Sequence, residues 1–388
     1  MIVAGLMSGT SVDGVDVSLV AVTGKGHRLR TRLLGHQGFP YSLSLRRRIL
    51  HVAEGGSVDE VCHLHALLGE VFASAVINTA QACHIPLTKV GLIGSHGQTV
   101  HHRPRPIKEP GVGMVRSTLQ IGDPNIMAER TGVTTVSDFR SRDLAAGGEG
   151  APLAPYAHGI VFHQKKVNRV VLNLGGIANV TVLPGRGLWS HIRAFDTGPC
   201  NMLLDGLVGE ESRGRQRMDR AGRQAARGSV NEKFLQWLMA HPYFSQDPPK
   251  STGRELFGAA YVRRVLKYGR KQKMPFVDIL ATSCRFIAQV VRDAQHWMCQ
   301  PVHEVVAGGG GVRNARLWRE LKTALAPATL KTMEECGSHS TAFEAQAFAI
   351  LAYQTLQGVS ANLPNVTGAR HPVVLGTITP GKRPWRLR

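Results

Sequence analysis

The chain has 388 residues, enough for two domains with separate cores, and 43% hydrophobic content with 43 Gly and 20 Pro fits a loop-rich α/β enzyme rather than a helical bundle or a disordered chain. A formal net charge of +20 brings nucleic acid or an anionic surface into consideration, yet aromatics are only 6% of the chain, and the basic clusters at 46–48, 213–227 and 382–388 contain just one of them, Trp385. No apolar run approaches about 18 residues, so no membrane span is expected, and the short N-terminal apolar stretch lacks the basic flank and cleavage site of a signal peptide.

In chain order, residues 1–23 read as a hairpin around Gly5-Leu6-Met7-Ser8-Gly9-Thr10-Ser11-Val12-Asp13-Gly14-Val15-Asp16, and residues 37–39 lead toward another strand. Residues 57–84 hold one apolar helical stripe through Val58, Val61, Leu64, Leu67, Leu68, Val71, Phe72 and Val76. A strand at 90–93 delivers Gly94-Ser95-His96-Gly97-Gln98-Thr99, and a shorter one carries Leu119-Gln120-Ile121-Gly122-Asp123 into a helix. A strand at 133–136 ends in Ser137-Asp138-Phe139-Arg140-Ser141-Arg142-Asp143, and 145–155 reads as a flexible stretch.

The pattern then restarts. A strand at 169–174 turns through Gly175-Gly176-Ile177-Ala178-Asn179 and returns over 180–183. Residues 193–195 lead into Asp196-Thr197-Gly198-Pro199-Cys200-Asn201 and a helix. Helices are expected near 231–240, 254–267 and 277–297, then a strand at 302–307 into Gly308-Gly309-Gly310-Gly311 and a helix at 314–325. Polar, Gly-rich loops thus sit at strand ends, where α/β ligand sites form.

Two such hairpins in separate halves suggest a clamp on a nucleotide, since small residues expose backbone N–H groups to phosphates. The carboxylates Asp13 and Asp16 can hold Mg²⁺ beside them. For each loop the ordinary alternative is a plain turn, and Asp196 alone would be an N-cap or turn aspartate. The stretch 376–383 resembles a Walker A loop but lacks the final Ser/Thr and a following helix. Cys62-His63-Leu64-His65 looks metal-like, although its continuation reads as helix; six cysteines without a C-x-x-C pair fit reduced cytosolic thiols.

Taken together, the motifs at 5–16, 94–99, 120–122, 138–143, 146–152, 173–176 and 195–201, with Lys250-Ser251-Thr252-Gly253-Arg254-Glu255, 308–314 and 366–368, resemble the anhydro-N-acetylmuramic acid kinases. The resemblance runs from Gly5 to about Gly381. It implies a two-domain actin-like ATPase (ribonuclease H-like) α/β fold around a central nucleotide cleft. Domain I would be 1–138 plus 360–388, with the first phosphate loop and part of the sugar site. Domain II would be 139–359, with the second phosphate loop, the catalytic aspartate and the adenosine loop.

The implied reaction uses ATP, Mg²⁺ and water to open the 1,6-anhydro ring of anhydro-N-acetylmuramic acid, giving the 6-phosphate sugar and ADP. Gly9, Thr10, Ser11, Val12, Asp13, Gly14, Val15 and Asp16 would form the first phosphate loop, with Asp13 and Asp16 organising the metal, in part through water. Asn173, Gly175 and Gly176 would form the second; Gly308, Gly309, Gly310 and Asn314 would take the adenosine. Asp196 matches the catalytic base, and an ordinary aspartate pKa near ~4 would keep it ionised at neutral pH.

Arg142 matches a substrate position and suits the lactyl carboxylate, with Arg140 as a neighbour that could instead pair Asp138 or Asp143. His96, Gln98, Thr99 and Glu335 are expected sugar contacts. Cys200 stands where the pattern often has Gly, and 337–341 lacks an expected proline, which bears on loop shape. The family implies a cytoplasmic enzyme, with a homodimer a reasonable expectation. Competing readings are a kinase for another sugar, or a non-catalytic nucleotide-dependent protein held on nucleic acid through the basic surface.

Overall fold

The computed structural model describes residues 1–186, 189–298 and 300–382; Cys299 and the basic run beyond 382 lie outside the described residues. The elements run β1 (Ile2–Ser8), β2 (Gly14–Thr23), β3 (Arg30–Pro40), α1 (Leu43–Ala53), α2 (Val58–Ala82), β4 (Val90–Glu109), β5 (Gly113–Ile121), α3 (Pro124–Thr131), β6 (Thr135–Ser137), α4 (Ser141–Ala145) and α5 (Ala154–Phe162). They continue with β7 (Arg169–Leu174), β8 (Ile177–Leu183), β9 (Arg193–Pro199), α6 (Asn201–Glu211), α7 (Glu232–Met239), α8 (Arg254–Phe257), α9 (Ala259–Lys271) and α10 (Phe276–Asp293). The last are β10 (Glu304–Gly308), α11 (Ala315–Ala324), β11 (Thr329–Thr332), α12 (Phe343–Leu356), α13 (Pro364–Thr367) and β12 (Thr377–Thr379).

The chain divides into two compact units, Met1–Val161 with Thr341–Arg388, and Phe162–Ser340. The expected bounds differ from these: 139–161 and 341–359 pack with the first unit. The reason lies in α12, whose backbone is approached so closely by β1 and β4 that a Cβ on Gly5 or Gly94 would strike Ala345 or Phe348 carbonyl oxygens. Asp143 also ties 139–161 to the C-terminal segment, accepting from Asn362 Nδ2 and Thr367 Oγ1, both at 2.7 Å.

In unit 1 the sheet order is β12-β6-β4-β1-β2-β3, with β5 on β4. β1–β2 and β2–β3 are antiparallel, whereas β1–β4 and β4–β6 are parallel. In unit 2 the order is β11-β10-β7-β8-β9, again with three antiparallel strands followed by two parallel ones. Two copies of one ribonuclease H-like sheet make this a two-unit actin-like ATPase fold.

Strand period 2 places Gly5 toward α12 and its neighbours Ala4 and Leu6 in the opposite core, with Leu64, Leu68 and Phe72 of α2. Ser57 caps α2 by accepting from Glu60 N at 3.2 Å. By length and composition α2 is long and apolar enough to cross a membrane, contrary to the expectation from run length. Its Leu64, Leu68, Phe72 and Val76 stripe is buried in the unit 1 core. Cys62, His63 and His65 lie on it as the helical reading required, and His65 Nδ1 accepts from Gly122 N at 3.1 Å.

Three local expectations change. β4 and β5 form a hairpin far longer than the two short strands read from sequence, because the apolar residues of its outer arm, Ile107, Met114, Val115 and Leu119 among them, are exposed and scattered between polar and basic ones and mark no buried face. The segment 145–155 is ordered by Asp143, which accepts from Gly150 N at 2.8 Å, and the chain enters α5 at Ala154. The Walker-like stretch contributes edge strand β12 on β6.

Candidate active site

The first loop, between β1 and β2, is built on Ser8. Its Oγ lies 2.6 Å from Gln98 Oε1, 2.7 Å from Tyr41 Oη and 2.9 Å from Gly14 O. Gln98 Nε2 donates to Gly9 O and Thr99 O, both at 3.1 Å. Gln98, expected at the sugar, thus has its side chain committed to holding the loop. Val12 takes φ 51, a region β-branched residues avoid, and is buried nonetheless. That conformation is imposed by the turn, in which Val12 N donates to Gly9 O at 3.2 Å. Thr10, Ser11 and Asp13 are exposed around it, and Ser11 Oγ donates to Asp13 Oδ1 at 2.8 Å.

Asp16 on β2 lies 3.7 Å from His36 Nε2. Burial and then the charge of Asp13 push its pKa up to about 6. Glu344, in the first turn of α12, belongs to the same group. It is open to water yet crowded by protein, and burial followed by Asp16 raises its pKa while Arg140 opposes this. Glu344 is not among the residues expected from sequence, which named Glu335. Glu335 is exposed in unit 2, where its Oε2 accepts from Thr332 N at 2.6 Å and stabilises a local turn.

Arg140 pairs with neither Asp138 nor Asp143. It donates to His96 Nε2 and to Gly150 O, and Asp138 accepts from Ser141 Oγ. His96 is buried, with both ring nitrogens engaged, so it has none left for a sugar. Thr99 Oγ1 accepts from Gln120 Nε2 at 3.3 Å and stays partly open. Arg142, at the start of α4, is exposed, and its side chain has no hydrogen bond or ion pair to any described residue.

In unit 2, β7 and β8 join through Gly175-Gly176. The carbonyls of these glycines accept from Asn201 N at 3.0 Å and Cys200 N at 2.9 Å, which seats α6 beneath the turn. Cys200 has φ −132, outside the left-handed region that favours glycine. Gly308 pairs with Asn173 across β10 and β7, and Gly309 has φ 85. A Cβ on Gly309 would lie 2.7 Å from Asn173 Oδ1, and one on Gly311 2.7 Å from Leu174 Cβ. The two glycine loops therefore adjoin. Asn314 spends its side chain capping α11, accepting from Leu317 N at 3.0 Å.

Asp196 sits on β9, opposite Asn179 of β8. Its Oδ2 accepts from Thr252 N at 2.9 Å, its N–H donates to Lys250 O at 3.1 Å, and its carbonyl accepts from Tyr243 Oη at 2.9 Å. Oδ1 has no hydrogen bond from a described residue. Burial, against the Thr252 hydrogen bond and with help from Glu255, raises the pKa to about 6, so the ordinary carboxylate value expected from sequence does not hold. Thr252 Oγ1 is itself buried without a partner among the described residues. The 250–255 motif was visible in sequence, but its work as the cradle of Asp196 needed the fold.

A model of the family described as anhydro-N-acetylmuramic acid kinase matches residues 1–381. The chain belongs to that family. The anhydro-N-acetylmuramic acid kinase of Caldanaerobacter subterraneus subsp. tengcongensis is 44% identical over 383 residues, covering 97% of this chain and 96% of the relative. The one from Gloeobacter violaceus is 41% identical over 383 residues, covering 97% and 98%. A distant likeness links the chain to the (R)-2-hydroxyglutaryl-CoA dehydratase component A of Acidaminococcus fermentans, at TM-score 0.44 and 13% identity over 91% of this chain and 98% of that one. Membership makes the protein a phosphotransferase of sugar metabolism.

Proposed function

We propose that the protein uses ATP and water to convert 1,6-anhydro-N-acetylmuramic acid to N-acetylmuramic acid 6-phosphate and ADP. The observation that carries this reading is Asp196: one carboxylate oxygen is anchored by Thr252 N and the other is free to take a proton. Water adds its oxygen at C1 as the C1–O6 bond breaks, and its proton passes to Asp196. O6 takes the γ-phosphoryl group, and ADP leaves. Inverting glycoside cleavage ordinarily needs a second carboxyl group to protonate the leaving oxygen; here the phosphoryl group captures it, so one base suffices. A pKa of about 6 leaves Asp196 ionised at neutral pH yet basic enough to hold the proton.

The loops 9–16 and 173–176 hold the phosphates through backbone donors, and 308–311 lies against the adenosine, where bare glycines admit close approach. Asn314 serves as the cap that shapes this loop. Asp13 and Asp16 fit Mg²⁺: they repel one another, and a divalent cation would relieve that repulsion and neutralise phosphate charge. Arg142 takes the lactyl carboxylate, and Thr99 and Glu344 complete the sugar contacts. We place the reaction in the cytoplasm and expect a homodimer, which light scattering would test. The decisive experiment is incubation with ATP, Mg²⁺ and the anhydro sugar in ¹⁸O water, followed by mass spectrometry. The 6-phosphate with ¹⁸O at C1 is expected; its absence sinks the function, and product without the label sinks water attack.

A further inference from the structure

Unit 1 contains a buried histidine held by a half-buried arginine, a pair to which that reading gives no task. His96, 2% exposed, has Nδ1 at 2.8 Å from Gly97 O and Nε2 at 3.0 and 2.8 Å from Arg140 Nε and Nη2. A guanidinium can only donate, so Nε2 accepts and the ring proton sits on Nδ1, directed to Gly97 O. The ring is therefore neutral, and burial with the charge of Arg140 holds its pKa down at about 3. Phe348 packs on it at 4.7 Å between ring centroids, and Phe139 packs on Phe348 at 5.3 Å.

Arg140 Nη1 donates to Gly150 O at 2.7 Å. Its five N–H groups are then only partly spent: one hydrogen on each terminal nitrogen has no partner among the described residues. No described carboxylate forms an ion pair with it. Asp143 is already satisfied by Gly150 N, Asn362 and Thr367, and Glu344 acts on Arg140 only from beyond contact. Arg140 is only half-buried, so these donors are completed by water or by an acceptor on a ligand.

We propose that Arg140 is a sugar-contacting residue and that His96 acts only through it, as the residue that positions it. This rests on reading unit 1 as part of the sugar site. The ligand group is an oxygen acceptor on the sugar: a hydroxyl, the N-acetyl carbonyl or the carboxylate. Arginine suits the place because a planar fork fixed at His96 and Gly150 leaves its remaining N–H groups aimed, which a lysine could not reproduce.

The test compares His96→Leu, His96→Gln, Arg140→Ala and the double variant His96→Leu/Arg140→Ala in the full chain. Steady-state kinetics and calorimetric sugar binding without nucleotide are the readouts. Loss of a hydrogen bond to a charged group predicts a rise of about tenfold in the sugar KM for His96→Leu, with the ATP KM unchanged. The amide oxygen of His96→Gln can accept from Arg140 and should restore most of the loss. The double variant should be no worse than Arg140→Ala, since both changes remove one unit. Additive losses, absence of rescue by Gln, or equal rises in both KM values overturn the proposal.

Should the Leu variant not fold, Arg140→Lys decides instead: a raised sugar KM with the ATP KM unchanged is expected, and wild-type sugar kinetics or equal rises in both KM values overturn the proposal. A wild type that binds the sugar without turning it over sinks the proposed reaction and leaves this pair testable by the binding cycle.

Discussion

At the residue scale, Asp196 combines a chemical role with a thermodynamic burden. Removing a general base costs at least about 100-fold, so Asp196→Asn should lose that much kcat while still binding ATP. The wild-type rate should rise with pH through about 6, as the carboxylate ionises, and then level off. The sign for stability is opposite. The folded pKa of about 6 exceeds the ordinary aspartate value of 3.8, so the native state binds this proton more tightly. Stability is therefore lost as pH rises from the unfolded toward the folded pKa. Asp196→Asn, which can still accept from Thr252 N, should melt higher than wild type at pH 7.5, and the gap should narrow at pH 5. An unchanged gap would mean that burial does not strain this carboxylate. Arg142→Ala should raise the sugar KM far more than the ATP KM, because Arg142 is exposed and uncommitted; equal effects would remove it from the sugar site.

The element scale explains which candidates were legible. Glycine turns at 9–14, 175–176 and 308–311 could be read from sequence because their residue types and strand flanks are local facts. Gln98 and His96 stood out for their chemistry, yet that chemistry is spent on Gly9 O and on Arg140, partners 89 and 44 residues away. Glu344 gave no comparable signal, being one acid in an apolar helix. Its significance comes from α12 lying against β1 and β4. That packing depends on bare backbone at Gly5, where an added Cβ would meet Ala345 O and come within 2.9 Å of Ala349 Cβ. Overpacking of this kind typically costs about 1–3 kcal/mol; Gly5→Ala should lose stability of that order in urea denaturation. A neutral result would show that α12 can shift away.

For the whole molecule, the +20 charge bears on encounter rather than on fold. ATP and a carboxylated sugar are both anionic, so kcat/KM for each should fall several-fold as salt screens the field, over roughly 20 to 200 mM. An anhydro sugar lacking the carboxylate should respond much less. Equal salt dependence for charged and uncharged sugars would remove steering from the account.

Sequence alone determined the restart of strand–turn–strand at residue 169, the loops at strand ends, the carboxylate at 196 and the kinship those motifs carry. These are properties of hydrophobic period and of residue types close together in the chain. Tertiary structure decided which side chains are free to act. It committed His96, Gln98 and Asn314 to internal partners, left Arg142 open, moved Asp196 toward neutrality and drew 341–359 into the first unit. Hydrogen-bond partners and desolvation depend on what the fold brings near, and spacing along the chain does not encode that locally.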